Sequence, residues 1–299
     1  ANFDKLNDLE KYRLLEDKWM QFKKAPTDIK DFFKFLMFFK KEKDEDIWIY
    51  MSSIIATIAN LFESNNSDSF KTFVRDLTDE LHNELGFEVK KDEELEIKEV
   101  RDTINKLRAK NLDDDSFIKK FSDIFKENKM ESISEGTFFS SILFISALDE
   151  TNKIEIFLEK FENAESPQMQ GRYRAVLGQV RDQNASKKIV EFMLDGRIRG
   201  ADCPYILASM ITNKYIGKKS WKVIKENFND LLNVMPDWTA SRILDALPAI
   251  YDEEFAGDIK NFIKKNPLPS SEKLAAQKLE RLEANIEFMD NLKEVNNET

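Results

Sequence analysis

The stretch Ser186–Val234, SKKIVEFMLDGRIRGADCPYILASMITNKYIGKKSWKVIKENFNDLLNV, indicates the fold more clearly than any other part of the chain. Its apolar residues recur at the three- and four-residue spacing of amphipathic helices. Asp195-Gly196 ends the first run, Asp202 is placed to cap the second, and the third follows Gly217 and stops before Pro236. Three short helices with tight breaks are typical of an α-solenoid, in which each helix pair buries its apolar face against the next pair.

The same pattern extends over the whole chain. Apolar runs of helical spacing arrive roughly every 20 residues, so pairs recur at roughly the 40-residue spacing of HEAT-type repeats. No alternating segment is long enough to predict a strand. We therefore predict an all-α fold, a HEAT/armadillo-like α-solenoid of stacked antiparallel helix pairs, curved with a concave face. We expect one helical-repeat domain over residues 1–299, with 1–165 and 166–299 as candidate sub-units.

Charge and cysteine content restrict the function and the compartment. The formal net charge is −10, which argues against a general nucleic-acid binder. Cys203 is the only cysteine, so no disulfide can form within the chain, which fits a reducing compartment and predicts a cytoplasmic location. The longest apolar stretch, Ile47 to Phe62, is interrupted by polar residues, so we expect no membrane association.

The chain offers few groups for catalysis. A zinc peptidase of the H-E-x-x-H kind needs two imidazoles one helical turn apart, and His82 is the only histidine. We expect His82 to be an ordinary exposed helix residue and Cys203 to be a small buried one. The acidic runs at Asp113–Asp115 and Asp252–Glu254 are expected at helix caps and first turns. We predict no catalytic residue, metal ligand or cofactor in this chain.

Arginines and tyrosines near helix ends are the candidate substrate-binding residues. A guanidinium can hold the terminal carboxylate of a peptide through paired hydrogen bonds, and tyrosines can line a groove. The alternative is that these arginines form ordinary surface salt bridges. The candidates are Arg172, Arg174, Arg197, Arg199, Tyr173, Tyr205 and Tyr215.

Several segments resemble a known family. Glu191–Arg199, Asp202–Ser209, Trp221 and Lys225–Phe228 are similar to the C-terminal helical domain of the zinc aminopeptidases. This family includes the archaeal tricorn-interacting factors, the puromycin-sensitive aminopeptidase and the endoplasmic-reticulum aminopeptidases. One departure is Ala201, where the family usually has a Gln.

The resemblance implies a role as the C-terminal helical cap of a zinc-dependent aminopeptidase that trims N-terminal residues from peptides. The cap would enclose the active-site cavity and contact the distal part of the peptide. The parent enzyme's catalytic and β-rich domains, which would hold the zinc, are absent here, so we expect the chain alone to be inactive. Its first residues, Ala-Asn-Phe-Asp, lack Met, and we expect that it begins partway through a larger protein. The expected partners are the parent's catalytic domain and peptide substrates.

A second function is compatible with the same fold. A free-standing HEAT-like scaffold that binds a protein partner would show the same helical pattern, because fold does not determine function. A helical repeat that binds nucleic acid is less favoured, since it needs a basic concave face.

Overall fold

The computed structural model describes residues 3–62, 68–90, 92–127, 136–268 and 271–297. These residues form α-helices and short 3-10 helices, and no strand occurs among them, which confirms the all-α prediction. No helix within these ranges is both long enough and apolar enough to cross a membrane. The chain separates into two compact units, one of residues 1–145 and 287–299, the other of residues 146–286.

The first unit contains six complete α-helices, most of a seventh and the end of the last helix of the chain, among the residues described. Short 3-10 helices occupy Phe3–Lys5 and Met37–Phe39. The α-helices are α1 (Asp8–Lys24), α2 (Ile29–Leu36), α3 (Glu45–Phe62), α4 (Asp68–Leu85), α5 (Leu95–Asn111), α6 (Asp115–Lys126) and α7 (Gly136–Ala147).

Aromatic residues build much of the core of this first unit. Phe32 of α2 stacks on Phe22 of α1, with 4.4 Å between ring centroids. Phe33, the next residue, stacks on Phe73 of α4 at 3.9 Å. Helix α2 is therefore covered on two sides, which explains why its aromatic residues are too numerous for a single apolar face.

The second unit contains shorter helices, as the quoted stretch predicts. Its α-helices are α8 (Ile154–Glu162), α9 (Pro167–Leu177), α10 (Ala185–Leu194), α11 (Cys203–Ile211), α12 (Gly217–Glu226), α13 (Phe228–Val234), α14 (Asp237–Ala240), α15 (Glu253–Lys265) and most of α16 (Glu272–Asn297). Asn213 joins two of its turns: its side-chain amide donates to the carbonyls of Gly178 and Val180, at 2.9 and 3.1 Å.

Two predicted helices differ from the structure. The expected third helix of the quoted stretch is broken at Asn227, whose side-chain amide donates to the carbonyl of Val223 at 2.8 Å. Asparagine competes in this way with the regular helix hydrogen bonds. The apolar spacing of Ile243, Leu244 and Leu247 predicts an α-helix from Thr239 onward, but Ser241–Ala249 forms a 3-10 helix with Pro248 inside it. Proline has no N–H to continue an α-helix.

The shape of the repeat remains a prediction. The contacts given above join residues of the same compact unit, so they show how the helices of that unit pack and do not test the curvature of the whole chain. The stacked, curved solenoid with a concave face, and the division of the chain into domains or sub-units, stay as predicted from the sequence.

Candidate functional site

A small surface depression in the second unit contains two of the predicted arginines. Its volume is about 130 Å³, and it lies where the end of α8, the first turns of α9 and the loop before α11 meet. The Ser-Pro pair at residues 166 and 167 predicts a helix start, and α9 does start there: the Ser166 hydroxyl accepts a hydrogen bond from the Met169 amide at 3.2 Å. The lining residues are Phe161, Pro167, Gln170, Gly171, Arg174, Arg199 and Asp202.

One carboxylate lies between two guanidinium groups in this depression. Arg174 Nη1 is 2.5 Å from Oδ1 of Asp202, and Arg199 Nε donates to Oδ2 of the same residue at 2.9 Å. The Asp202 side chain is largely buried, whereas 76% of the Arg199 side chain is exposed. Two positive groups against one negative group leave the depression with an excess of positive charge, which favours an anion.

The local chain conformation turns Asp202 toward the arginines. Asp202 lies at the N-cap position of α11, as predicted, but its side chain makes no capping hydrogen bond. Just before it, Gly200 lies so close to the next segment that a Cβ there would be 1.9 Å from the Val234 carbonyl oxygen. This close packing fixes the loop that presents Arg199, so the loop can hold its charged groups in one place.

The other two predicted arginines lie outside this arrangement. Arg197 stacks over the Phe192 ring at 3.4 Å and pairs with Asp195 at 2.8 Å and, more loosely, with Glu162 at 3.6 Å. Arg172 approaches the sulfur of Met169 at 3.9 Å. Neither residue lines the depression.

The three tyrosines are spread over different surroundings. Tyr173 is buried within the unit, and Tyr205 on α11 is 53% exposed. The Tyr215 ring lies beneath the guanidinium of Arg181, 4.1 Å from its centroid, and Lys214 is 4.9 Å away. The structure therefore brings together Arg174 and Arg199 alone among the seven predicted site residues, and it adds Asp202 and Gln170, which the sequence argument missed.

Cys203 is unsuited to nucleophilic chemistry. It is fully buried next to the depression, and its thiol lies 3.5 Å from the Arg199 carbonyl oxygen. Burial, assisted by the neighbouring Asp202 carboxylate, raises the pKa of Cys203 to about 12. A thiol that stays protonated is a poor nucleophile, and the prediction of a small buried residue is confirmed.

His82 differs from the prediction of an exposed residue. It is half-buried on α4, with its ring edge-on to Phe117 of α6 at 5.5 Å between centroids. Burial, together with the nearby Arg108 guanidinium, holds the pKa of His82 below its ordinary value. No local pattern indicates this contact, because Phe117 lies 35 positions away along the chain.

The acidic runs take the structural roles expected of them. The Asp114 carboxylate accepts from the Phe117 amide at 3.0 Å to cap α6, and Asp252 accepts from the Phe255 amide at 2.8 Å to cap α15. In the part of the chain that the structure describes, no three His, Cys, Asp or Glu side chains cluster as metal ligands would. With one histidine and one cysteine, the chain does not have the donors of a histidine-based zinc site.

Comparison with known protein families gives a match over nearly the whole chain. Residues 1–284 match the family described as the ERAP1-like C-terminal domain. This match confirms the resemblance that the segments from Glu191 to Phe228 indicate, and it extends through both compact units. The chain therefore belongs to the family of ERAP1-like C-terminal domains, and it is the C-terminal domain of an aminopeptidase.

Proposed function

We propose that this chain is the helical cap of a zinc-dependent aminopeptidase that removes N-terminal residues from peptides. The family match over residues 1–284 carries this proposal. The chain's own residues support placing the zinc on another domain, because one histidine cannot supply the two imidazoles that a peptidase zinc site of the H-E-x-x-H kind needs. In this proposal the zinc and the general base belong to the catalytic domain, which is the chain's partner, and the cap encloses the cavity between them. We also propose a cytoplasmic location, which the single cysteine supports.

The depression around Asp202 is the proposed contact with the distal part of a peptide. Arg199 uses only Nε to bond Asp202, and within the described residues its terminal nitrogens have no other partner. These N–H groups could donate to a peptide carboxylate, and such charge-assisted bonds are about twice as strong as neutral ones. Arg174, 2.5 Å from the other oxygen of Asp202, keeps that carboxylate neutralised and limits its repulsion of the incoming anion.

The test uses the parent enzyme carrying Arg199→Gln. Three substrates are compared: a peptide with a free C-terminal carboxylate, the same peptide amidated, and a leucine anilide too short to reach the cap. We expect kcat/KM for the free-acid peptide to fall roughly tenfold, the size of one lost hydrogen bond to a charged group. The amidated peptide and the anilide should be hydrolysed at unchanged rates.

Arg242→Gln is the matched control. The Arg242 side chain is 52% exposed and makes only a loose pair with Asp245, at 3.8 Å, so the substitution removes the same charge from the same unit. It should leave all three rates unchanged. Equal losses on the free and amidated peptides, or equal losses from the two variants, would show that Arg199 does not contact the peptide terminus.

A further inference from the structure

A basic segment interrupts the acidic chain in its second half. Residues 181–225 contain ten Lys and Arg but only four Asp and Glu, whereas the whole chain has a net charge of −10. This segment spans α10, α11 and α12. The proposed peptide contact uses Arg199 and Arg174, and it leaves the lysines of α10 and α12 without a role.

The first turns of α10 and α12 lie side by side. The hydroxyls of Ser186 and Ser220, both fully buried, are 2.7 Å apart. Just before the two helices, the Gln183 side-chain amide donates to the Tyr215 carbonyl at 3.4 Å. The two contacts follow the same order along both segments, from Gln183 to Ser186 in one and from Tyr215 to Ser220 in the other, so the two helices start in roughly the same direction.

Helix α12 presents lysines along its outer face. Its inner face is buried through Ser220, Trp221, Val223 and Ile224. Two of its lysines pair with α15: Lys218 with Asp252 at 2.7 Å and Lys225 with Asp258 at 2.6 Å. These pairs hold the helix against α15 and leave its remaining two lysines on the outside.

Three lysines of these helices are exposed without an ion-pair partner within the described residues: Lys187 on α10, and Lys219 and Lys222 on α12. Lys187 directly follows Ser186, and Lys219 directly precedes Ser220. Each residue turns an α-helix by about 100°. In two parallel helices whose serines face each other, the residue after one serine and the residue before the other therefore point to the same side. Lys222 lies one helical turn from Lys219. We call these three lysines the basic face.

Acidic groups border the basic face without neutralising it. Glu191, four residues after Lys187, pairs with Lys188 at 3.7 Å. Glu226, four residues after Lys222, is exposed at the end of α12. Among the described residues, three unpaired lysines against the one unpaired carboxylate of Glu226 leave a local positive charge. The more distant acidic groups are screened over about 8 Å at physiological salt.

The surroundings of the basic face distinguish among anionic partners. Single-stranded nucleic acid stacks its bases on exposed aromatic rings. The nearby Tyr215 ring is covered by Arg181 at 4.1 Å, and the exposed Tyr205 belongs to α11 and not to the basic face. Lasting attachment to a membrane surface combines basic residues with apolar side chains that insert, and the large apolar residues that the structure shows as exposed include none on α10 or α12. An acidic polypeptide needs neither, because its carboxylates pair with lysines along an extended backbone.

We propose that the basic face of α10 and α12 binds an acidic, extended segment of a partner protein. This surface is separate from the depression around Asp202, and the proposal does not depend on aminopeptidase activity. Binding would be weak and salt-dependent, as expected for exposed charge pairs worth about 0.2–1 kcal/mol each.

The test titrates the 299-residue chain with a fluorescent polyglutamate peptide and follows anisotropy. We expect saturable binding that weakens steadily between about 50 and about 300 mM salt. The triple variant K187Q/K219Q/K222Q should bind roughly tenfold more weakly. The control K5Q/K24Q/K30Q removes the same charge from three exposed lysines of the first unit, and it should bind as the unmodified chain does.

Two further probes distinguish an acidic polypeptide from the two other anionic partners, nucleic acid and a membrane surface. Oligothymidylate and vesicles containing anionic lipid carry comparable negative charge, and we expect each to bind more weakly than the peptide. Tighter binding of either probe, absence of peptide binding, or equal losses from the two triple variants would overturn the proposal. Circular dichroism should show the same helix content in all variants.

Discussion

The close approach of Gly200 to Val234 gives a sharp test of the structure around the candidate site. In Gly200→Ala the new Cβ would lie 1.9 Å from the Val234 carbonyl oxygen and 3.4 Å from Cδ of Pro236. Since non-bonded heavy atoms pack best at about 3.5 Å, the two backbone segments would have to separate by more than about 1 Å. Backbone cannot move aside as a flexible side chain can. Overpacking of this kind costs about 1–3 kcal/mol, and we expect the upper end.

Gly257→Ala is the matched control for this change. Gly257 lies inside α15, where a Cβ would meet none of the described residues within 4 Å. Alanine is favoured over glycine in a helix by roughly 1 kcal/mol, so this variant should be slightly more stable than the unmodified chain.

Thermal unfolding followed by circular dichroism measures both effects. We expect Gly200→Ala to lower the Tm by roughly 5–10 °C and Gly257→Ala to raise it by a few degrees. An unchanged or higher Tm for Gly200→Ala would show that the loop carrying Arg199 does not pack on Val234. The description of the depression around Asp202 would then be wrong.

Three further predictions concern single side chains. Asn213→Asp replaces an amide that donates to two buried carbonyls with a group that repels them, so it should destabilise the fold by about 3 kcal/mol in chemical denaturation. Because burial lowers the folded-state pKa of His82, the unfolded chain binds a proton more readily than the folded chain, and stability should fall as the pH drops below about 6.5. His82→Gln should reduce this fall, and an identical pH profile would contradict the burial of the ring. Cys203 should react with a thiol reagent only after the chain is denatured, since its pKa is about 12 and it is fully buried, whereas rapid labelling of the folded chain would contradict that environment.

Local signals in the sequence predicted local structure well. The apolar spacing near the start of the chain predicts a first helix from about Asp8 to Lys24, which is where α1 lies, and an Asn7–Glu10 capping box explains why the helix starts there. Gly86 follows α4 with φ of +72°, as expected for the residue after a helix C-terminus. The 3-10 geometry of Ser241–Ala249 was not predicted, because its apolar spacing resembles that of an α-helix.

Contacts between distant residues could not be predicted in the same way. Arg174 and Asp202 are 28 positions apart, and nothing in either local sequence indicates that they pair. Arg197 and Arg199 look equivalent in the sequence, yet the chain turns Arg199 toward Asp202 and Arg197 onto the Phe192 ring. The selection of two arginines from seven candidates depends on tertiary packing, which helix periodicity does not encode.

We propose that this chain is part of an aminopeptidase whose chemistry is carried out by another domain. The most direct test is the release of a chromogenic amine from leucine and arginine substrates by the purified 299-residue chain with added Zn²⁺. We predict no turnover above the uncatalysed background, with or without the metal. Zinc-dependent hydrolysis that co-purifies with the chain, and that is lost when the chain is removed from the sample, would contradict the proposal that another domain carries out the reaction.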